Sequence, residues 1–154
     1  MEFDGNLTVL DRLLLDLEQE RKGNRSGGDA LRSSITRDLE MLLNSRLPSA
    51  LVPPEFPECA ASILNFGVPE FDTFGNLGNA AEQQKLCAAF AQAIAGFEPR
   101  LHDISVRLLP SRDRDNLLRL QIEGTLASNG EIRRFEAGVK PYAGFVTVSS
   151  GGAA

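Results

Sequence analysis

The sequence has almost none of the residues that bind soft metals: one histidine and two cysteines in 154 positions. That is too few for a zinc site of four nitrogen and sulfur ligands, and two cysteines are no disulfide framework. No apolar run approaches the ~18 residues of a membrane span. The opening Met1-Glu2-Phe3-Asp4 is acidic, unlike the basic head of a secretory signal. Bases are outnumbered 16 to 21, for a net charge of −5, which argues against general nucleic-acid binding. These absences leave the expectation of a soluble, cytoplasmic domain of mixed structure with no metal and no cofactor. The length suits one domain with its own core, with room for an arm.

The charge that is present is uneven. Residues 1–50 carry seven bases and nine acids, residues 51–96 one base and five acids, and residues 97–154 eight bases and seven acids. All eight late bases lie between Arg100 and Lys140. A low-charge, alanine-rich middle therefore precedes an arginine-rich region, read either as solvated strands or as a partner surface.

Hydrophobic spacing supplies the elements. Leu7, Leu10, Leu14 and Leu17 predict a first amphipathic helix over 7–21, followed by a flexible Gly/Ser/Asn linker over 22–29. Leu31, Ile35, Leu39, Leu42 and Leu43 predict a second helix over 31–46, stopped by Pro48. Three prolines make 52–57 an irregular link. A short helix fits 58–65, ending at Gly67 as a left-handed cap. A long helix follows over 80–96, opened by an Asn79/Glu82 capping box and carrying Leu86, Phe90, Ala93, Ile94 and Phe97 on one face. After Pro99 the period drops to two. Ile104, Val106 and Leu108, then Leu118, Leu120 and Ile122, then Phe135, Ala137 and Val139 alternate with polar residues. Asn129-Gly130 marks a hairpin. Residues 145–148 can add a fourth strand, and 151–154 read as a disordered tail. The class is α+β, with helices packed on one face of a three- to four-stranded antiparallel sheet and the opposite face rich in arginine. The division expected is 1–28 as helix and linker, 29–150 as the main domain, and 151–154 as tail.

Catalytic patterns are poorly represented. His102 opens a strand, and Ser62 and Ser105 sit in no nucleophile elbow. Cys59 and Cys87 lie on apolar helical faces, where cysteine is a small core residue. The glycines at 27–28 and 75–78 lack phosphate-loop spacing. Glu55, Glu58, Glu70, Asp72 and Glu98 are available for a glycosidase pair, but no spacing selects two of them. The most specific local feature is Glu98-Pro99-Arg100, where helix gives way to strand. It reads either as an internal Glu–Arg pair locking helix to sheet or as a charged anchor for another protein.

Three strings in order carry a resemblance. Residues 34–46, SITRDLEMLLNSR, resemble the S-x-x-R-D-L-E-x-L-L-N-x-R segment of TssE, the small baseplate subunit of the type VI secretion system. The positions that match include Ser34, Arg37, Asp38, Leu39, Asn44 and Arg46. Residues 62–69 resemble that family's S-x-L-N-Y-G-x-P segment through Asn65, Gly67 and Pro69, with Phe66 in place of tyrosine. Glu98, Pro99 and Arg100 resemble its E-P-R motif, and residues 10–13 its N-terminal L-x-R-L.

The resemblance implies a wedge subunit of a contractile injection machine. It implies assembly with TssF and TssG, organisation by TssK, and seeding of the sheath made of TssB and TssC, with the baseplate docked at the inner face of the envelope. It implies that Glu98, Pro99 and Arg100 face the TssF–TssG core, so that Arg100→Ala keeps the fold and weakens wedge assembly. The family also carries an old lysozyme-like label, which the residues do not support. Residues 141–144 depart from the strand pattern. A peptidoglycan hydrolase and a regulatory protein that sequesters a partner are the competing functions.

Overall fold

The structure, a computed structural model, describes residues 13, 27–47, 57–60, 62–70, 78–110, 118–140 and 145–151. The helix expected over 7–21 lies outside the described residues except for Leu13, which is helical and exposed. Most of the proline-rich link, residues 71–77 and residues 111–117 lie outside them too.

Helix α1 (Gly27–Asn44) begins inside the expected linker. Two glycines at its start do not prevent this, because Asp29 sits in the first turn, where a carboxylate complements the helix dipole. Leu31, Ile35, Leu39, Leu42 and Leu43 are buried, as their spacing predicts. The helix ends at Asn44, two residues short of the expected limit, with Ser45 N–H turning back to Leu42 O at 3.1 Å.

The short helix expected over 58–65 is two pieces: α2 (Pro57–Ala60) and a 3-10 turn (Ile63–Asn65). Ser62 separates them, its side chain accepting from Leu64 N–H as a cap. Gly67 does not serve as a left-handed cap. Its φ of +132° lets the chain cross the end of α1, where an added Cβ would fall 2.7 Å from Ser45 O. Val68 N–H donates to Ser45 O and Leu47 N–H to Val68 O, a parallel bridge that only glycine permits at that approach.

Helix α3 (Ala80–Phe97) is capped by Asn79, whose side chain accepts from Ala81 N–H at 3.0 Å. Glu82 pairs with Lys85. Leu86, Phe90 and Ile94 are fully buried on its inner face.

The sheet is one antiparallel meander: β1 (Leu101–Leu109), β2 (Leu118–Leu126), β3 (Ile132–Lys140) and β4 (Phe145–Ser150), in that order. A bulge in β1 sets two residues, Asp103 and Ile104, against Gly124 alone, and Asp103 takes a φ of +51°. The extra residue brings Leu101 onto the same face as Ile104, Val106 and Leu108. The β2–β3 turn follows the Asn-Gly signal, with Gly130 at φ +71° and Leu126 N–H closing on Glu131 O. Leu120, Ile122, Phe135, Ala137, Val139, Val146 and Val148 point inward. Both long helices pack on this face, α1 beside β4 and α3 beside β1. The opposite face carries an ionic row in which Glu123 meets Arg134 at 2.7 Å and Arg107 at 3.8 Å. Gly151, expected in the tail, is held: its carbonyl accepts from Arg32.

Candidate functional site

The turn between α3 and β1 places Glu98, Pro99 and Arg100 against the middle of α1. Glu98 N–H closes the last turn of α3 on Ile94 O, and Leu101 N–H returns to Glu98 O. The main chain is thus fixed on both sides of Pro99. Glu98 is only 3% exposed, whereas Pro99 faces outward.

Arg100 lies across this turn. Its Nε donates to Glu98 Oε1 at 2.7 Å and its Nη2 to Glu98 Oε2 at 2.5 Å, a bidentate pair. Nη2 also donates to Asp38 Oδ2 at 2.6 Å, and Nη1 to Ser34 Oγ at 2.7 Å. Arg37 completes the cluster from outside, donating to Asp38 Oδ1. The Arg100 side chain is 11% exposed, so one cation is shared by two carboxylates with little solvent. Burial disfavours the charged guanidinium, but the hydrogen bonds and charge of Glu98, and then of Asp38, outweigh it and raise the arginine pKa above its ordinary value. Planar, forked recognition of this kind suits arginine and not lysine.

The first and third sequence strings therefore meet through side chains. The second joins the C-terminal end of α3 to the chain just past the end of α1. Phe66 stacks edge-on against Phe97 at 5.2 Å, next to Glu98, while Gly67 and Val68 seat on Ser45 and Arg46. Leu39 is core, Pro69 is half-buried, and Asn65 closes the 3-10 turn. Arg46 Nη1 donates to Leu43 O.

Asn44 lies apart from this cluster, against β4. Arg32 and Glu40 share its face of α1 and also reach the β4 side of the sheet, a role not assigned to them from the sequence. The signal was available: positions 32, 36, 40 and 44 form a polar i,i+4 row beside the leucine stripe.

The candidate catalytic groups are scattered. Glu58 and Glu70 are exposed at separate places, Glu98 is engaged by Arg100, and Glu55 and Asp72 lie outside the described residues. His102 is exposed on β1. Burial pushes the Cys87 thiol up, partly offset by the Leu108 N–H. Among the described residues no three His, Cys, Asp or Glu side chains form a group able to hold a metal ion. No described helix is long and apolar enough to cross a membrane.

Fold and site together define a small α+β structural domain whose charged centre ties its helices to its sheet. The family model described as baseplate wedge protein gp25 matches residues 29–131, more than half of the chain. The chain belongs to that family, which includes TssE and is a structural family of baseplates. No curated protein matches the chain.

Proposed function

We propose that the chain is the TssE-type baseplate subunit of a type VI secretion machine. In this reading it joins TssF and TssG in the wedge, is organised with TssK, and seeds the sheath of TssB and TssC from the cytoplasmic side. It acts by contact and needs neither a cofactor nor a reaction centre. The observation that carries the reading is the convergence of three TssE-like strings, from Ser34 to Arg100, around the C-terminal end of α3 and the turn after it. Membership of a baseplate wedge family supports it.

Glu98 and Arg100 spend their charges inside the chain, so the proposed TssF–TssG contact centres on the outward-facing Pro99 and the surface around it. The lock holds this turn in one shape before a partner arrives, which lowers the ordering cost of association. Residues 29–150 act as the wedge unit, with 1–28 as an arm and the last residues as a tail.

Affinity capture of the chain from its native cell, with identification of what copurifies, tests the reading. Recovery of TssF and TssG is expected. Their absence, together with muramidase activity of the purified chain, would favour the hydrolase instead. Their absence with a single unrelated partner would favour sequestration.

A further inference from the structure

Among the described residues strand β4 is an edge strand, and its own sequence lacks the usual defences of one. Its sequence, Phe-Val-Thr-Val-Ser-Ser, has no charge and no proline, and it is rich in residues that favour strands. Uncharged edges of this kind pair readily with other chains. The other edge, β1, carries Asp103, Arg107 and a bulge, which are the features that discourage such pairing.

At β4 those features are replaced by side chains of α1. In an antiparallel edge strand, alternate residues turn both main-chain groups outward. Val146 is such a residue. Its N–H donates to Asn44 Oδ1 at 2.8 Å, and its carbonyl accepts from Asn44 Nδ2 at 2.8 Å. One carboxamide thus makes the two hydrogen bonds that a paired strand residue would make. The second Nδ2 hydrogen is taken by Glu40 O at 2.7 Å, which fixes the rotation of the amide. Two residues on, Val148 N–H points to Glu40 Oε2 at 3.4 Å, and Arg32 holds the carbonyl of Gly151.

We propose that α1 guards the β4 edge, with Asn44 occupying the position of a fifth strand, and that without this guard β4 pairs antiparallel with β4 of a second copy. The occupant is a second copy because an uncharged strand meets no like-charge penalty in a two-fold antiparallel pair.

The test uses the full chain. At concentrations where it is monomeric, Asn44→Ala should accelerate amide exchange at Val146 about tenfold while Leu120 in the central strand β2 keeps its protection. The same variant should form a concentration-dependent dimer in sedimentation. Adding Thr147→Lys, which puts a charge on the exposed side of β4, should return it to monomer while exchange at Val146 stays fast. A folded Asn44→Ala chain that remains monomeric overturns the proposal. Should Asn44→Ala not fold, Asn44→Leu, which keeps side-chain volume and loses both hydrogen bonds to Val146, faces the same two outcomes. In the unaltered chain the Val146 amide must be protected from exchange, and exchange at the rate of an open edge amide also overturns the proposal.

Discussion

Arg100 donates to Glu98, Asp38 and Ser34 from one guanidinium, and nearly all of that guanidinium is out of water. Its truncation would leave Glu98 buried without a cation and Asp38 paired only with the more exposed Arg37. The expectation that Arg100→Ala keeps the fold intact is therefore revised. Removing one partner of a buried, hydrogen-bonded charge cluster costs about 3–5 kcal/mol. We expect Arg100→Ala to lower stability by that order in urea titration; a loss under about 1 kcal/mol, the range of surface pairs, would mean the cluster is solvated. The sequence left an internal pair and an external anchor both open for Glu98-Pro99-Arg100. Spacing locates the three residues at a helix–strand junction, but it does not show that Asp38 and Ser34, more than sixty residues earlier, complete the cluster.

Cys87 gives a second prediction at this scale. Its thiol ionises at higher pH in the folded chain because burial disfavours the thiolate, with the Leu108 N–H offsetting only part. The protonated form is thus favoured by folding. This contribution is complete below the ordinary thiol range, near pH 8.5–9, and is lost as pH rises through the folded value. Stability should fall on the alkaline side, and at pH 8 the folded Cys87 should alkylate more slowly than in the denatured chain. Equal rates by peptide mass analysis would contradict the burial argument.

Among the elements, those with a clear period were the legible ones. The leucine stripe of α1, the inner face of α3 and the alternation of β1, β2 and β3 all appear where their spacing puts them, and β4 completes the sheet. The boundaries that moved have local causes. The first turn of α1 tolerates Gly27 and Gly28 because helix starts tolerate glycine better than helix interiors do. Residues 58–65 break in two because the Ser62 hydroxyl competes for Leu64 N–H and Cys59 O. Local spacing makes Gly67 a helix end, but its need is set by a neighbour distant in sequence, the carbonyl of Ser45, which no local pattern reveals. Gly67→Ala should therefore cost at least about 2 kcal/mol, from a strained φ together with a backbone clash. Thermal denaturation would show it, and an unchanged midpoint would mean that the 3-10 turn is not seated on α1.

At the scale of the molecule, side chains of the described residues join the helical layer and the sheet at two seams. Arg100 ties α1 to the α3–β1 turn, and Asn44 with Glu40 ties α1 to β4. In the proposed role the subunit works through its surfaces. A helix layer that slid on its sheet would deform those surfaces, and side-chain locks at both edges oppose such sliding. Membership of the baseplate family follows from the match over 29–131, and the TssE-like strings point to the same role. The sequence could order those strings along the chain but not show them meeting, since contacts between residues 38 and 100 or 44 and 146 have no signature in spacing.

A double-mutant cycle on Asp38 and Arg100 tests whether the motifs form one interior network. Stability is measured in urea for the parent, Asp38→Asn, Arg100→Lys and the double variant, four chains that keep side-chain volume nearly constant. A coupling of about 1.5 kcal/mol or more is expected for a desolvated charged hydrogen bond. Additivity within about 0.5 kcal/mol would show that Asp38 and Arg100 act independently, and would contradict the lock.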